Sequence, residues 1–203
     1  MQLAAERINT SWPLWQKVLF RFFFIFLLLQ TEPWTWLEAI PGVDFVMQYY
    51  HQFMEAAVDF SNRIFFHLPG DVLAAPNASG DTSGGWASLD FSLTVSCIGC
   101  IAWSIVDRKR NNYETLGYWL RTIVRYFVCL EAFSYGIIKL FGLQMPFPNY
   151  SQLATPLGDY LPMRFSWLFI GYSAPYQFFS GLMEVLAGIF LLFRRTVTLG
   201  LLI

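Results

Sequence analysis

Residues 18–37 read VLFRFFFIFLLLQTEPWTWL, a run of twenty whose only charged members are Arg21 near one end and Glu32 near the other. A helix needs about 20 mainly apolar residues to cross the ~30 Å hydrocarbon layer of a bilayer, and this run supplies them. Gln30, Thr31, Glu32 and Pro33 mark its exit into the far interface, where Trp34 and Trp36 serve as aromatic anchors. No small-residue cleavage site follows, so the segment reads as a retained span and not as a signal peptide.

Working outward from this stretch, three more apolar runs of helical length occur at 86–106, 118–142 and 176–193, and a further one begins at 196. The reading is an all-α membrane protein, a four-helix transmembrane bundle plus the start of a fifth span, with truncation expected at the C-terminus. Its segments are 1–40 (cytoplasmic N-terminus and first span), 41–85 (external helix and linker) and 86–203 (the remaining spans). Composition agrees. The 203 residues are 56% hydrophobic and 13% charged, with 21 Phe and a mean hydropathy of +0.44. A water-soluble domain carries about 25% charged residues, so this chain lacks the polar groups to cover itself in water.

Between the first two spans, Val43, Met47, Tyr50, Met54, Ala57, Val58 and Phe65 recur at helical steps. Asp44, Gln48, His51, Glu55, Asp59 and Asn62 stand between them. That pattern predicts an amphipathic helix, too polar to span and suited to lie on a membrane face. Residues 69–85, PGDVLAAPNASGDTSGG, are turn and linker chemistry. The sequence also holds a Pro-rich loop at 142–162 and a short apolar piece at 165–175.

The basic residues fall in clusters at the span ends: Lys17 and Arg21 before the first, Arg108, Lys109 and Arg110 after the second. Arg121 and Arg125 open the third, and Arg194 and Arg195 close the fourth. Alternating spans put all of these on one side, which the positive-inside rule makes cytoplasmic, with the N-terminus inside. The bacterial cytoplasmic (inner) membrane is the expected location. Arg121 and Arg125 read as snorkelling to lipid phosphates. A net charge of -1 and the absence of a basic face exclude nucleic acid as a partner. The lipid bilayer is the partner that composition predicts.

Ionisable residues inside a span are costly and are functional candidates by default. The third span carries Glu131, Tyr135 and Lys139 at four-residue steps. The fourth carries Gln177, Gly181, Glu184 and Gly188, whose glycines permit close helix approach. Counting depth from the helix ends places Lys139 level with Gln177, and Glu131 level with Glu184. The result is a polar, outward-opening pocket, roofed by the loop of Gln144, Met145, Pro146, Phe147 and Pro148. Its two readings are a structural ion pair and a ligand or proton-handling site.

Cys97 and Cys100 form a CxxC near the middle of the second span, where packing is the expected role. His51 and His67 lack a second ligand pair, so no metal or haem site is expected. Asn77-Ala78-Ser79 and Asn149-Tyr150-Ser151 match the glycosylation acceptor on the outer side.

From about Tyr113 onward the chain resembles the DoxX-like superfamily of small four-helix membrane proteins. The resemblance is carried by Arg125-Tyr126, Tyr135-Gly136-Ile137-Ile138-Lys139, Gln144-Met145-Pro146, Pro156-Leu157-Gly158 and Gly171-Tyr172-Ser173. It continues in Gly181-Leu182-Met183-Glu184 and, past Gly188, in Leu191-Leu192-Phe193-Arg194-Arg195. It covers under half of the chain and is strongest toward larger bacterial members. The external segment at 41–85 has no counterpart in the minimal ones. The resemblance implies a membrane subunit or accessory factor in quinone-linked redox chemistry, with quinone as cofactor and membrane redox subunits as partners. It brings no agreed catalytic set. Two other functions fit the residues: a proton-coupled small-solute transporter using Glu131, Lys139 and Glu184, and a non-enzymatic scaffold that docks a partner on the external amphipathic segment.

Overall fold

The computed structural model describes residues 11–67, 82–160 and 162–203. The linker as far as residue 81, with the acceptor at Asn77, lies outside the described residues. In chain order the helices are α1 (Leu14–Thr31), α2 (Asp44–Ser61), α3 (Ser83–Val106), α4 (Glu114–Leu140), α5 (Tyr150–Ala154), α6 (Pro162–Gly171), α7 (Ala174–Leu192) and α8 (Val197–Leu202). Short 3-10 turns follow α1 (Pro33–Ala39) and α5 (Leu157–Asp159), and a π turn ends α2 (Asn62–Phe66). No strand occurs among the described residues.

Among the described residues, three segments are long and apolar enough to cross a membrane: Leu14–Ala39, Ser83–Val106 and Ala174–Leu192. They correspond to the first, second and fourth expected spans. The third is different in kind. α4 has 27 residues, which is about 40 Å of helix. Every 18-residue window of it nevertheless contains at least three of Glu114, Arg121, Arg125, Glu131 and Lys139. Its length matches a span; its charge sets it apart from the other three.

The chain forms two compact units, Met1–Ile123 and Val124–Ile203, and the boundary falls inside α4. In the first unit α1 packs along α3. Small residues make this possible: Ala87, Ser92, Ser96 and Cys100 form the buried edge of α3, and the Cys100 thiol donates to the Val18 carbonyl at 3.4 Å. Ser92 and Ser96 donate to the carbonyls four residues back, at 2.9 and 2.6 Å, so neither brings an unpaired hydroxyl into the apolar contact. Cys97 lies on the exposed side of α3. The expected packing role of the CxxC therefore belongs to Cys100, and the two thiols have different surroundings.

α1 begins one turn earlier than expected and ends where the sequence weakens. Glu32 adopts the left-handed region (φ 36°), and its N–H donates to the Leu28 carbonyl at 2.9 Å; Pro33 then opens the 3-10 turn. The Glu32 carboxylate accepts from the Tyr50 hydroxyl at 2.7 Å, tying this turn to α2. Burial and then that hydrogen bond push the Tyr50 phenol well above its ordinary value.

The expectation that Lys17 and Arg21 precede the first span needs correction, because both lie within α1. Arg21 is 3% exposed and does not snorkel. Its Nε donates to the Tyr113 hydroxyl at 2.9 Å, one terminal nitrogen to Ser104 Oγ at 2.9 Å, and the other to the Asp107 carbonyl at 2.8 Å. Tyr113 in turn donates to the Asp107 carboxylate at 3.0 Å. Around this core Phe20 stacks on Tyr113 with ring centroids 5.0 Å apart, while Trp12 and Trp103 meet the Tyr113 ring edge-on. Burial raises the Tyr113 pKa, outweighing the opposing effect of Arg21.

α2 has three faces, where the sequence pattern offered two. Met47, Val58 and Ser61 are buried within the unit, with Tyr50, Met54 and Ala57 half-buried beside them. Asp44, Gln48, His51, Glu55 and Asp59 form the polar side. Between these two arcs runs a bare apolar stripe of Phe45, Tyr49, Phe53 and Phe60. Phe65, expected on the apolar stripe of this helix, lies beyond α2 in the π turn and is exposed.

In the second unit, the 149–159 segment is not simply a loop. Asn149 and Gln152 close a capping box on α5, each side chain bonding the other's backbone at 2.8–2.9 Å. The piece expected at 165–175 is the helix α6, with the turn into α7 capped by Ser173. α8, expected as the beginning of a further span, packs back on α7, with Gly200 against Ala187 and Leu191.

Candidate functional site

The site is built where α4 and α7 touch backbone to backbone. A Cβ on Gly136 would lie 2.9 Å from the Val185 nitrogen and 3.0 Å from the Gly181 carbonyl oxygen. One on Gly181 would lie 2.7 Å from the Gly136 carbonyl oxygen and 2.8 Å from Lys139 Cβ. About two turns further along α7, Gly188 faces the Phe133 ring, and the Cys129 thiol donates to the Gly188 carbonyl at 3.3 Å. Glycines at this crossing remove the side-chain layer that would hold the helices apart.

This contact fixes the register, and it differs from the one obtained by counting from helix ends. Lys139, half-buried, donates from Nζ to Glu184 Oε1 in an ion pair. The sequence reading had paired Lys139 with Gln177 and Glu131 with Glu184. Gln177 is 3% exposed and bonds instead to the loop: its amide nitrogen donates to the Met145 carbonyl at 2.9 Å and its oxygen accepts from the Met145 N–H at 3.1 Å. The same loop crosses Gly171 so closely that a Cβ there would meet the Met145 and Pro146 carbonyl oxygens at 2.6 and 2.8 Å. The roof expected from Gln144 to Pro148 is thus anchored on Gln177 and Gly171. The Gln144 side-chain oxygen is buried without a hydrogen-bond partner.

Of the six expected site residues, Lys139 and Glu184 are brought together, and Gln144 and Gln177 belong to the neighbouring loop contact. Glu131 and Tyr135 lie on the exposed side of α4. The reason is geometric. Four-residue steps turn a helix by about 40° beyond one full circle each, so a 131–135–139 stripe winds off the packed face. The alternating steps of 177, 181, 184 and 188 stay on it, and that inward reading of α7 holds: Gln177, Gly181 and Gly188 are buried.

Beside the ion pair is a cavity of about 430 Å³. Glu184, Ser180, Ala132, Phe179, Met183 and Ala187 are among its walls. Glu184 Oε2 is buried and has no hydrogen-bond partner. A second cleft, about 640 Å³, lies between α5, α6 and the start of α7. Tyr160, Phe165, Phe169, Tyr172 and Tyr176 line it, and among the described residues no charged side chain does. Tyr176 borders both spaces. Both volumes fall in the roughly 300–1,000 Å³ range of small-molecule sites. Among the described residues no group of His, Cys, Asp and Glu is placed to hold a metal ion.

The Arg21, Tyr113 and Asp107 cluster of the first unit was missed as a centre by sequence reasoning. Its signal was present: an arginine lies one turn inside an apolar run, where a charge demands a partner.

No family model, curated protein or solved structure matches this chain.

Proposed function

We propose that the chain is a four-span protein of the cell membrane, of DoxX-like type, that binds a quinone-class redox lipid beside Glu184 as a subunit or accessory factor of membrane redox chemistry. One observation carries the reading: a part-buried ion pair on glycine-packed helices holds Glu184 in the wall of a mainly apolar cavity. Mainly apolar walls with a few polar groups, Glu184, Ser180 and Tyr176, suit a lipid-soluble ring. In the proposed topology the N-terminus is cytoplasmic and α4 is the third of the four spans, its charges directed to protein partners or to the interfaces.

Mass spectrometry of small molecules extracted from the protein in mild detergent tests this. A quinone-class lipid is expected with the parent and depleted at least tenfold in a Lys139→Met, Glu184→Gln double variant. Absence of any such lipid from both would leave the Lys139–Glu184 pair as a helix fastener alone.

The bare stripe on α2 favours a second role for the external segment, that of lying in the outer membrane interface. The aromatic residues Phe45, Tyr49, Phe53 and Phe60 would enter the headgroup boundary, with Asp44, Glu55 and Asp59 toward water. A spin label at position 53 in proteoliposomes is expected to collide preferentially with oxygen, and one at position 55 with a water-soluble nickel chelate. Equal water accessibility at the two positions would dismiss the membrane-lying arrangement and return the stripe to a protein partner.

A further inference from the structure

The geometry points to a second binding site, at the end of α3: we infer that Arg108, Lys109 and Arg110 hold the headgroup of an anionic phospholipid, with Arg110 as the directional ligand of its phosphate. The site lies wholly within the first unit and shares no residue with the cavity beside Glu184.

Three consecutive basic side chains on a surface loop would ordinarily sweep a wide volume. This loop is pinned on both sides of them. Before them, the Asp107 carbonyl accepts from Arg21 at 2.8 Å, and the Asp107 carboxylate accepts from the Tyr113 hydroxyl at 3.0 Å and the Trp103 indole at 3.4 Å. After them, the Asn111 carbonyl accepts from the Trp12 N–H at 2.9 Å. The nearby acids are engaged elsewhere, since Glu114 accepts from the Trp12 indole at 3.2 Å. Arg108, Lys109 and Arg110 are exposed, and none of them makes an ion pair among the described residues.

Arg110 is the best placed of the three. Its guanidinium carbon stands 5.2 Å from the centre of the Tyr113 ring, and that ring is buried and stacked on Phe20. A cation–π contact of this kind positions a guanidinium without neutralising it. Its planar fork of N–H donors therefore stays available for the two-point hydrogen bonding that suits a phosphate. Arg108 and Lys109 add attraction with less direction.

Bare apolar surface beside the loop makes a lipid the source of that phosphate. Ile105 and Val106, in the last turn of α3, are 57% and 86% exposed, and α3 is long and apolar enough to cross a membrane. An acyl chain lying along this end of the helix carries its phosphate to the loop, whereas a soluble phosphate gains nothing from the apolar surface. Basic residues just beyond a span attract anionic leaflets in general. A pinned loop and an arginine backed by an aromatic ring add selection by geometry to that attraction.

Native mass spectrometry of the full chain, equilibrated in detergent with phosphatidylglycerol or with phosphatidylcholine, tests the site. Phosphatidylglycerol is expected to bind about tenfold more tightly. Arg110→Lys keeps the charge and is expected to weaken phosphatidylglycerol about threefold or more, while Arg108→Lys stays within about twofold of the parent. Equal affinities for the two lipids in the parent would overturn the site. Equal effects of the two lysine variants would overturn the role of Arg110 and reduce the loop to unspecific charge. Displacement of the bound lipid by equimolar inorganic phosphate would overturn the lipid assignment in favour of a soluble anion. The melting temperature in detergent shows whether each variant is folded, and the parent's own lipid preference decides the matter if Arg110→Lys is not.

Discussion

Replacing Gly181 by valine is expected to open the α4–α7 crossing and to abolish the Lys139–Glu184 pair, even though neither charged residue is altered. The new Cβ would arrive 2.7 Å from the Gly136 carbonyl oxygen and 2.8 Å from the Leu140 nitrogen, both backbone atoms that cannot move aside independently. Forced overpacking costs about 1–3 kcal/mol when side chains can adjust, and the upper end or beyond applies where backbone meets backbone. The helices then separate, and the interhelical Lys139–Glu184 bond has no reason to persist. Unfolding of the detergent-solubilised protein should show the loss, and any bound quinone-class lipid should be lost with it. Gly158→Ala is the matched control, because a Cβ at Gly158 has nothing within 4 Å and should leave both properties unchanged. A Gly181→Val protein as stable as the parent would mean that the crossing is not held by glycine contact.

Replacing Arg21 by methionine is expected to destabilise the first unit by about 3–5 kcal/mol, the range for removing one member of a buried charged network. Methionine keeps much of the apolar stem. It leaves Ser104 Oγ, the Asp107 carbonyl and the Tyr113 hydroxyl without the guanidinium that now bonds all three. Arg21→Lys should recover less than half, since one ammonium cannot reproduce donors in three fixed directions. Denaturation in mixed micelles measures both variants against Arg108→Met, a change at an exposed position expected to be near neutral. An Arg21→Met protein within 1 kcal/mol of the parent would show that the network contributes nothing net.

These two expectations divide along what could be read from the residues alone. Apolar length is a local property, so 18–37, 86–106 and 176–193 announced their helices, and the ends of α3 and α7 fell within a turn or so of expectation. The inward stripe of α7 was legible for the same reason, because alternating four- and three-residue steps keep Gln177, Gly181, Glu184 and Gly188 on one face whatever the neighbour is. Glu32 and Pro33 likewise announced the break after α1.

Register between helices is a different matter. It depends on which small residues meet, and the Gly136–Gly181 contact sets it about one turn away from a count based on helix ends. That shift gave Glu184 to Lys139 and Gln177 to Met145, while Glu131 and Tyr135 are exposed because their four-residue steps wind off the packed face. The division of α2 into covered and bare apolar arcs was equally hidden, since hydrophobicity marks both arcs alike and only a packed neighbour tells them apart. Arg21 makes the same point with charge. Its residue type demanded partners, but Tyr113 and Asp107 lie about ninety residues further along the chain, and only folding α1 against α3 brings them within reach. Sequence determined where the long helices lie and that 18–37, 86–106 and 176–193 are apolar enough for a membrane; tertiary packing decided which polar groups meet, because partner choice depends on contacts between segments that no local pattern encodes.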